Sequence, residues 1–109
     1  RVDSLKSYIL EGKATVLGSI VCKELVGFIW FFEKDIGDHK VIHINHFVVK
    51  ENKQGLGIGT SLWNEVERYA NDKKIIDIEL FVTKTNETAV DFYKKRNFEV
   101  ERLYMKKRL

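Results

Sequence analysis

The chain has no proline, a single cysteine and no long apolar run, and each scarcity closes off a class of protein. One thiol, Cys22, cannot form an internal disulfide. No Cys-x-x-Cys pair or Cys/His cluster at metal-ligand spacing occurs, so neither a disulfide scaffold nor a metal site is expected, and a reducing, cytoplasmic setting fits best. The apolar stretches fall short of the roughly 20 residues that span a bilayer, and the N-terminus lacks a signal-peptide pattern. An initiating methionine is also missing: the sequence opens on Arg1 and Val2, which suggests a fragment or a processed chain. Nor does one sign of charge dominate, since 19 Lys and Arg stand against 16 Asp and Glu. The basic residues are dispersed apart from the closing "MKKRL", and no stripe interleaves them with aromatic residues, so a nucleic-acid partner is not favoured.

What is present is ordinary globular material. The 109 residues are 44% hydrophobic and 32% charged, enough for one core and therefore a single domain over 1–109. Leu5, Tyr8 and Ile9 in "SLKSYILEG" have a short helical spacing that stops at Gly12, so a brief helix is expected there. "ATVLGSIVCKELVGFIWFFEKD", rich in Val, Ile, Phe and Trp and broken at Lys23 and Glu24, predicts two strands in a hairpin with Cys22 as a small buried residue of a strand. After a polar loop centred on Gly37, "VIHINHFVV" predicts a third strand. From Thr60 the period changes, with Leu62, Trp63, Val66, Tyr69 and Ala70 on one helix face. "IIDIELFV" then puts Ile76, Ile78, Leu80 and Val82 on one face of a strand. A second helix is expected from about Thr88 to Arg96, with Thr85 or Asn86 as N-cap and Asn97 as its left-handed terminator. "FEVERLYMKKRL" can supply a last strand. The class is α/β with a mixed sheet, helices following strands.

Between the third strand and the first long helix lies "KQGLGIGT", with Gly55, Gly57 and Gly59 at alternate positions. A plain surface turn needs one or two flexible residues. A glycine-rich turn opening a helix instead exposes backbone N–H groups that have no intrahelical partner, at the positive end of the helix dipole, and phosphate is the natural guest. Two phosphate loops are excluded by spacing. The GxxxxGK[ST] loop needs a Lys after its last glycine, which is absent, and the GxGxxG fingerprint counted from Gly55 would need a glycine where Thr60 stands.

A third reading remains. Gln54-x-x-Gly57-x-Gly59 resembles the acetyl-CoA signature of the GNAT superfamily of N-acetyltransferases, Arg/Gln-x-x-Gly-x-Gly/Ala. The downstream stretch "TNETAVDFYKKRNFEVERLYMKK" is similar to the second cofactor segment of that family, with Asn86, Ala89, Phe92, Tyr93, Lys95, Phe98, Tyr104 and Met105 on its pattern. Asn97 stands where the family usually has Gly, and both residues accept the left-handed cap conformation. The likeness covers roughly residues 14 to 109. It implies a GNAT-like fold that is shortened at the N-terminus, because the family usually begins with a strand and two helices, of which only "RVDSLKSYIL" could represent the last.

The resemblance further implies that acetyl-CoA is the co-substrate and an amine the acceptor. Backbone groups of Phe47, Val48 and Val49 would pair with pantetheine. The N–H groups of Gln54, Gly55, Leu56, Gly57, Ile58, Gly59 and Thr60 would hold the pyrophosphate, with Asn86, Ala89, Tyr93 and Lys95 contributing from the second segment. It assigns Tyr93 to protonating the departing thiolate, although without the resemblance Tyr93 reads more readily as a core aromatic beside Phe92.

A lysine-like amine is mostly protonated at neutral pH, so a base is useful. The strand before the glycine turn carries no carboxylate but offers His43 and His46, which strict alternation sends to opposite faces, so that at most one lines a given cleft wall. Either is also readable as a structural or exposed histidine. Lys53, Lys94, Lys95 and Arg96 flank the two segments as partners for the 3′-phosphate of CoA or as a solvated face. The expected function is N-acetyl transfer from acetyl-CoA to a primary amine by direct transfer in a ternary complex. The alternative is a non-catalytic CoA-binding module or inactive truncated acetyltransferase. Strand edges left bare by a shortened N-terminus would favour a homodimer.

Overall fold

The computed structural model describes Ser4–Leu10 and residues 14–109. Four antiparallel strands come first, each paired with the next: β1 (Ser4–Leu10), β2 (Ala14–Val21), β3 (Glu24–Ile36) and β4 (His39–Val49). A short 3-10 turn over Glu51–Lys53 and the helix α1 (Ile58–Asp72) lead to β5 (Asp77–Leu80), which runs parallel to β4, and to the helix α2 (Glu87–Lys94). The sheet order β1-β2-β3-β4-β5 with one parallel pair is the mixed α/β arrangement expected from the alternation of strand and helix patterns.

α1 is amphipathic and lies on the sheet. Leu62, Trp63 and Val66 are buried against Ile29 and Phe31 of β3 and Ile42 and Ile44 of β4. Burial of each such side chain is worth about 1.5–3 kcal/mol, which makes this helix-on-sheet layer the main stabilising contact of the fold. Gly27 permits the close approach at the helix's first turn: a Cβ there would lie 3.1 Å from the Val48 carbonyl and 3.2 Å from Ile58 Cγ2. The layer is also tied by polar contacts. The Tyr69 hydroxyl donates to Glu33 Oε2 at 2.5 Å, and Lys73 donates to the same oxygen at 2.9 Å.

Several elements differ from the sequence expectation. Residues 4–10 form a strand rather than a helix, because the outer edge of β2 offers seven consecutive partners, from Ser4↔Ile20 to Leu10↔Ala14, and a weak local spacing yields to that ladder. Four strands therefore precede the glycine turn, not three. The hairpin between β2 and β3 turns on Cys22 and Lys23, at φ 51° and 66°, the geometry that matches the twist of paired strands. Cys22 is thus exposed at a turn, not buried in a strand. β5 spans only Asp77–Leu80, leaving Ile76 and Val82 exposed. The segment after α2 forms no strand: Leu103, Tyr104 and Met105 are exposed, and the four-residue β5 provides no continued edge for it to join.

Candidate functional site

Two features of the main chain define the site. β4 and β5 pair only from Val41↔Asp77 to Ile44↔Leu80, whereas β4 continues to Val49 against β3 alone. Beyond Ile44 the β5 side of β4, including Phe47, Val48 and Val49, is an unpaired strand edge facing a gap. The second feature is the start of α1. Gly57, at φ 81° and ψ 4°, is its N-cap, no side chain caps it, and no acidic residue lies in the first turn. The first intrahelical bond runs from Ser61 N–H to the Gly57 carbonyl, so the N–H groups of Ile58, Gly59 and Thr60 precede the ladder. Gly55 is left-handed too, at φ 81°, and both glycines face open space.

These two features meet at Gly59. A Cβ built there would touch Val49 Cγ2 at 3.6 Å, Phe47 Cζ at 3.7 Å and Phe92 Cε1 at 3.8 Å, so the end of β4, the first turn of α1 and α2 converge on one point. Gln54 reaches back from the turn to donate to the Val49 carbonyl at 3.1 Å. Ile58 combines both roles of the turn, with a side chain 1% exposed in the core and an N–H at the helix start.

α2 is placed by its own caps. Asn86 accepts from Ala89 N–H at 3.2 Å, the N-cap role expected of it. Asn97, at φ 70°, terminates the helix, and Phe98 N–H returns to the Tyr93 carbonyl at 3.1 Å. The Tyr93 ring packs edge-on to Trp63, Phe92 and Phe98. Burial pushes its hydroxyl above the usual tyrosine range. Lys95 is exposed at the helix end. Arg96 is engaged within the protein. Its guanidinium lies 3.5 Å from the Phe92 ring centroid and donates to Thr60 Oγ1 at 2.9 Å and to the Phe92 carbonyl at 3.0 Å.

The histidines do not obey simple alternation. The β3–β4 register shifts between Trp30↔His46 and Phe31↔Ile44, which makes Asn45 a bulge. His43 lies across from Phe32, ring centroids 5.1 Å apart, and His46 stacks on Trp30 at 5.3 Å. Trp30 and Phe32 are two apart on an unbroken strand, so His43 and His46 share one face, opposite α1, and the expectation of opposite faces is corrected. On that face His43 Nδ1 lies 2.5 Å from Glu79 Oε2, and Lys34 Nζ lies 2.6 Å from the same oxygen. Burial pushes the Glu79 carboxyl upward, but Lys34 and His43 outweigh it and hold it below the usual range.

The glycine turn, the end of β4 and α2 are therefore brought together, while both histidines sit on the other side of the sheet beside the gap. Glu79 and the Arg96–Thr60 tie were not singled out from the sequence. The only signal for Glu79 was its place on β5, and its partner depends on the parallel register.

Residues 5–98 match the model of the acetyltransferase (GNAT) family. The chain belongs to that family. No curated protein sequence matches it. Its fold is similar to that of the BH1408 protein of Bacillus halodurans, solved as a tetramutant, with a TM-score of 0.83 and 23% identity over 93% of this chain and 69% of that one. It is also similar to a ribosomal-protein-alanine N-acetyltransferase from Brucella melitensis biovar Abortus 2308, with a TM-score of 0.75 and 20% identity over 91% and 73%. An aminoglycoside acetyltransferase from an uncultured soil metagenomic sample gives 0.79 and 18% over 91% and 68%. At these identities the GNAT fold is what is shared. Among the described residues no helix is long and apolar enough to cross a membrane, and no group of three or more His, Cys, Asp or Glu could hold a metal ion.

Proposed function

We propose that this GNAT-family chain transfers an acetyl group from acetyl-CoA to a primary amine by direct attack in a ternary complex. The observation that carries the reading is the convergence at Gly59 of an uncapped helix N-terminus, an unpaired strand edge and the helix bearing Tyr93. The N–H groups from Gln54 to Thr60 take the pyrophosphate, where the helix dipole favours an anion and the glycines let the backbone approach. The pantetheine arm lies along the free edge of Phe47, Val48 and Val49 as an added strand, with its thioester toward the point where β4 and β5 separate.

The chemistry balances with groups on both sides of the gap. The amine nitrogen attacks the thioester carbonyl, whose oxyanion is met by strand N–H groups. The C–S bond then breaks, the thiolate takes a proton from Tyr93, and the amine's proton passes to a histidine of β4. Tyr93 can take the donor role because a tyrosine hydroxyl, with an ordinary pKa near 10, carries its proton at neutral pH. The second reading is a CoA-binding module without turnover; the chain spans 69% and 73% of two solved relatives.

Calorimetric titration with acetyl-CoA and then dephospho-acetyl-CoA tests the reading, followed by thiol release with a panel of amines. Binding with thiol release supports the transferase; binding without release for any amine supports the module; no binding to either ligand overturns both.

A further inference from the structure

Of the two histidines that flank the end of the β4–β5 ladder, His43 and His46, His43 is the one with a carboxylate partner. His43 and Glu79 are directly paired across the parallel β4–β5 ladder, one residue before that ladder ends at Ile44↔Leu80. Nδ1 lies 2.5 Å from Glu79 Oε2, the His43 side chain is 12% exposed, and the Phe32 and Phe81 rings flank the imidazole at 5.1 and 5.4 Å. His46 is exposed and has a ring contact with Trp30.

A carboxylate only accepts hydrogen bonds, so a neutral imidazole beside it must carry its hydrogen on Nδ1 and keep its lone pair on Nε2. The flanking rings limit rotation about the same axis. We infer that Glu79 is a positioning residue that holds His43 in the Nδ1–H tautomer and thereby makes Nε2 of His43, and not His46, the acceptor of the amine proton. The inference rests on the acetyl-transfer reading. The charged groups facing His43 are Lys34 from β3 and Glu79 from β5, and α1 lies on the other face of the sheet. Lys34 bonds the same carboxylate oxygen, so it tunes the charge that His43 meets without touching the ring itself.

The test reads the tautomer directly. Long-range 15N–1H spectra of histidine-labelled protein at alkaline pH are expected to show His43 as the Nδ1–H form and His46 without that bias. Glu79→Ala is expected to release His43 to the Nε2–H form, and Lys34→Met to leave the tautomer unchanged. With an accepted amine, Glu79→Ala lowers kcat by about 10- to 100-fold with little change in KM for acetyl-CoA, as for a misaligned base. Glu79→Gln restores part of the rate, since its amide oxygen still accepts from Nδ1–H. An Nε2–H tautomer of His43 in the wild-type protein, or one unmoved by Glu79→Ala, overturns the inference whether or not any variant is active. Failure of the acetyl-transfer reading shows separately, as absence of acetyl-CoA binding with the tautomer as described.

Discussion

Arg96 donates to Thr60 across 2.9 Å and so joins the end of α2 to the first turn of α1. The same guanidinium stacks on Phe92 and donates to its carbonyl, which leaves the side chain little freedom. Arg96→Leu is expected to cost about 1 kcal/mol in urea denaturation and to weaken acetyl-CoA binding in the same titration. Arg96→Lys should recover little of either, because an ammonium cannot satisfy both acceptors in one plane. Unchanged affinity in Arg96→Leu would mean that the tie between the helices does not shape the site.

Gly57 and Gly59 are separable. Gly57 holds φ 81°, so Gly57→Ala is expected to destabilise the fold by about 1–2 kcal/mol. At Gly59 an added Cβ meets its neighbours at 3.6–3.8 Å, ordinary contact, and Gly59→Ala should melt within a degree or two of wild type, an effect of roughly 0.5 kcal/mol or less. The larger Gly59→Val is expected to keep the fold by circular dichroism yet abolish acetyl-CoA binding. Micromolar affinity in that variant would remove the pyrophosphate from this turn.

Tyr93→Phe keeps the ring contacts with Trp63, Phe92 and Phe98 and removes only the hydroxyl. Turnover is expected to fall by about 100- to 10,000-fold with cofactor affinity nearly unchanged, the signature of a lost general acid. An unaltered rate would return Tyr93 to a purely packing role.

The Glu33 carboxyl is held below its usual range chiefly by the Tyr69 hydroxyl, against the opposing effect of burial and with help from Lys73. A depressed folded-state value means that the unfolded chain binds the proton more readily. Glu33 therefore contributes stability at neutral pH that begins to fall as the pH drops through the ordinary carboxylate value near 4.5 and is gone below its folded value. In Glu33→Gln the loss of melting temperature between neutral pH and pH about 3 should be smaller than in wild type. An equal loss would place the acid sensitivity in other carboxylates.

How much of this was legible beforehand depended on the range of the interaction. α1, its buried stripe and the glycine turn follow from neighbours within a few residues, as do the Asn86 and Asn97 caps, and each was readable. β1 was not: Leu5, Tyr8 and Ile9 suit a helix as well as a strand, and pairing with β2 decided the matter. The faces of His43 and His46 depended on how β3 lines up with β4. Glu79 stands 36 residues from His43 and meets it only through the parallel register. The alternating "FEVERLYM" likewise suits a strand, but strand character needs a partner edge, and β5 stops at Leu80.

The bulge at Asn45 acts as a change of phase within a single strand. Upstream of it the even-numbered Ile42 and Ile44 enter the core; downstream the odd-numbered Phe47 and Val49 pack against that core. Drawing Asn45 into regular alternation, with no bulge, would carry Phe47 and Val49 to the histidine side, strip α1 and α2 of the ring and methyl groups they rest on, and leave the gap lined by a backbone turned half a repeat. One extra residue thus lets both halves of a single strand serve the helices with one face and present an imidazole with the other.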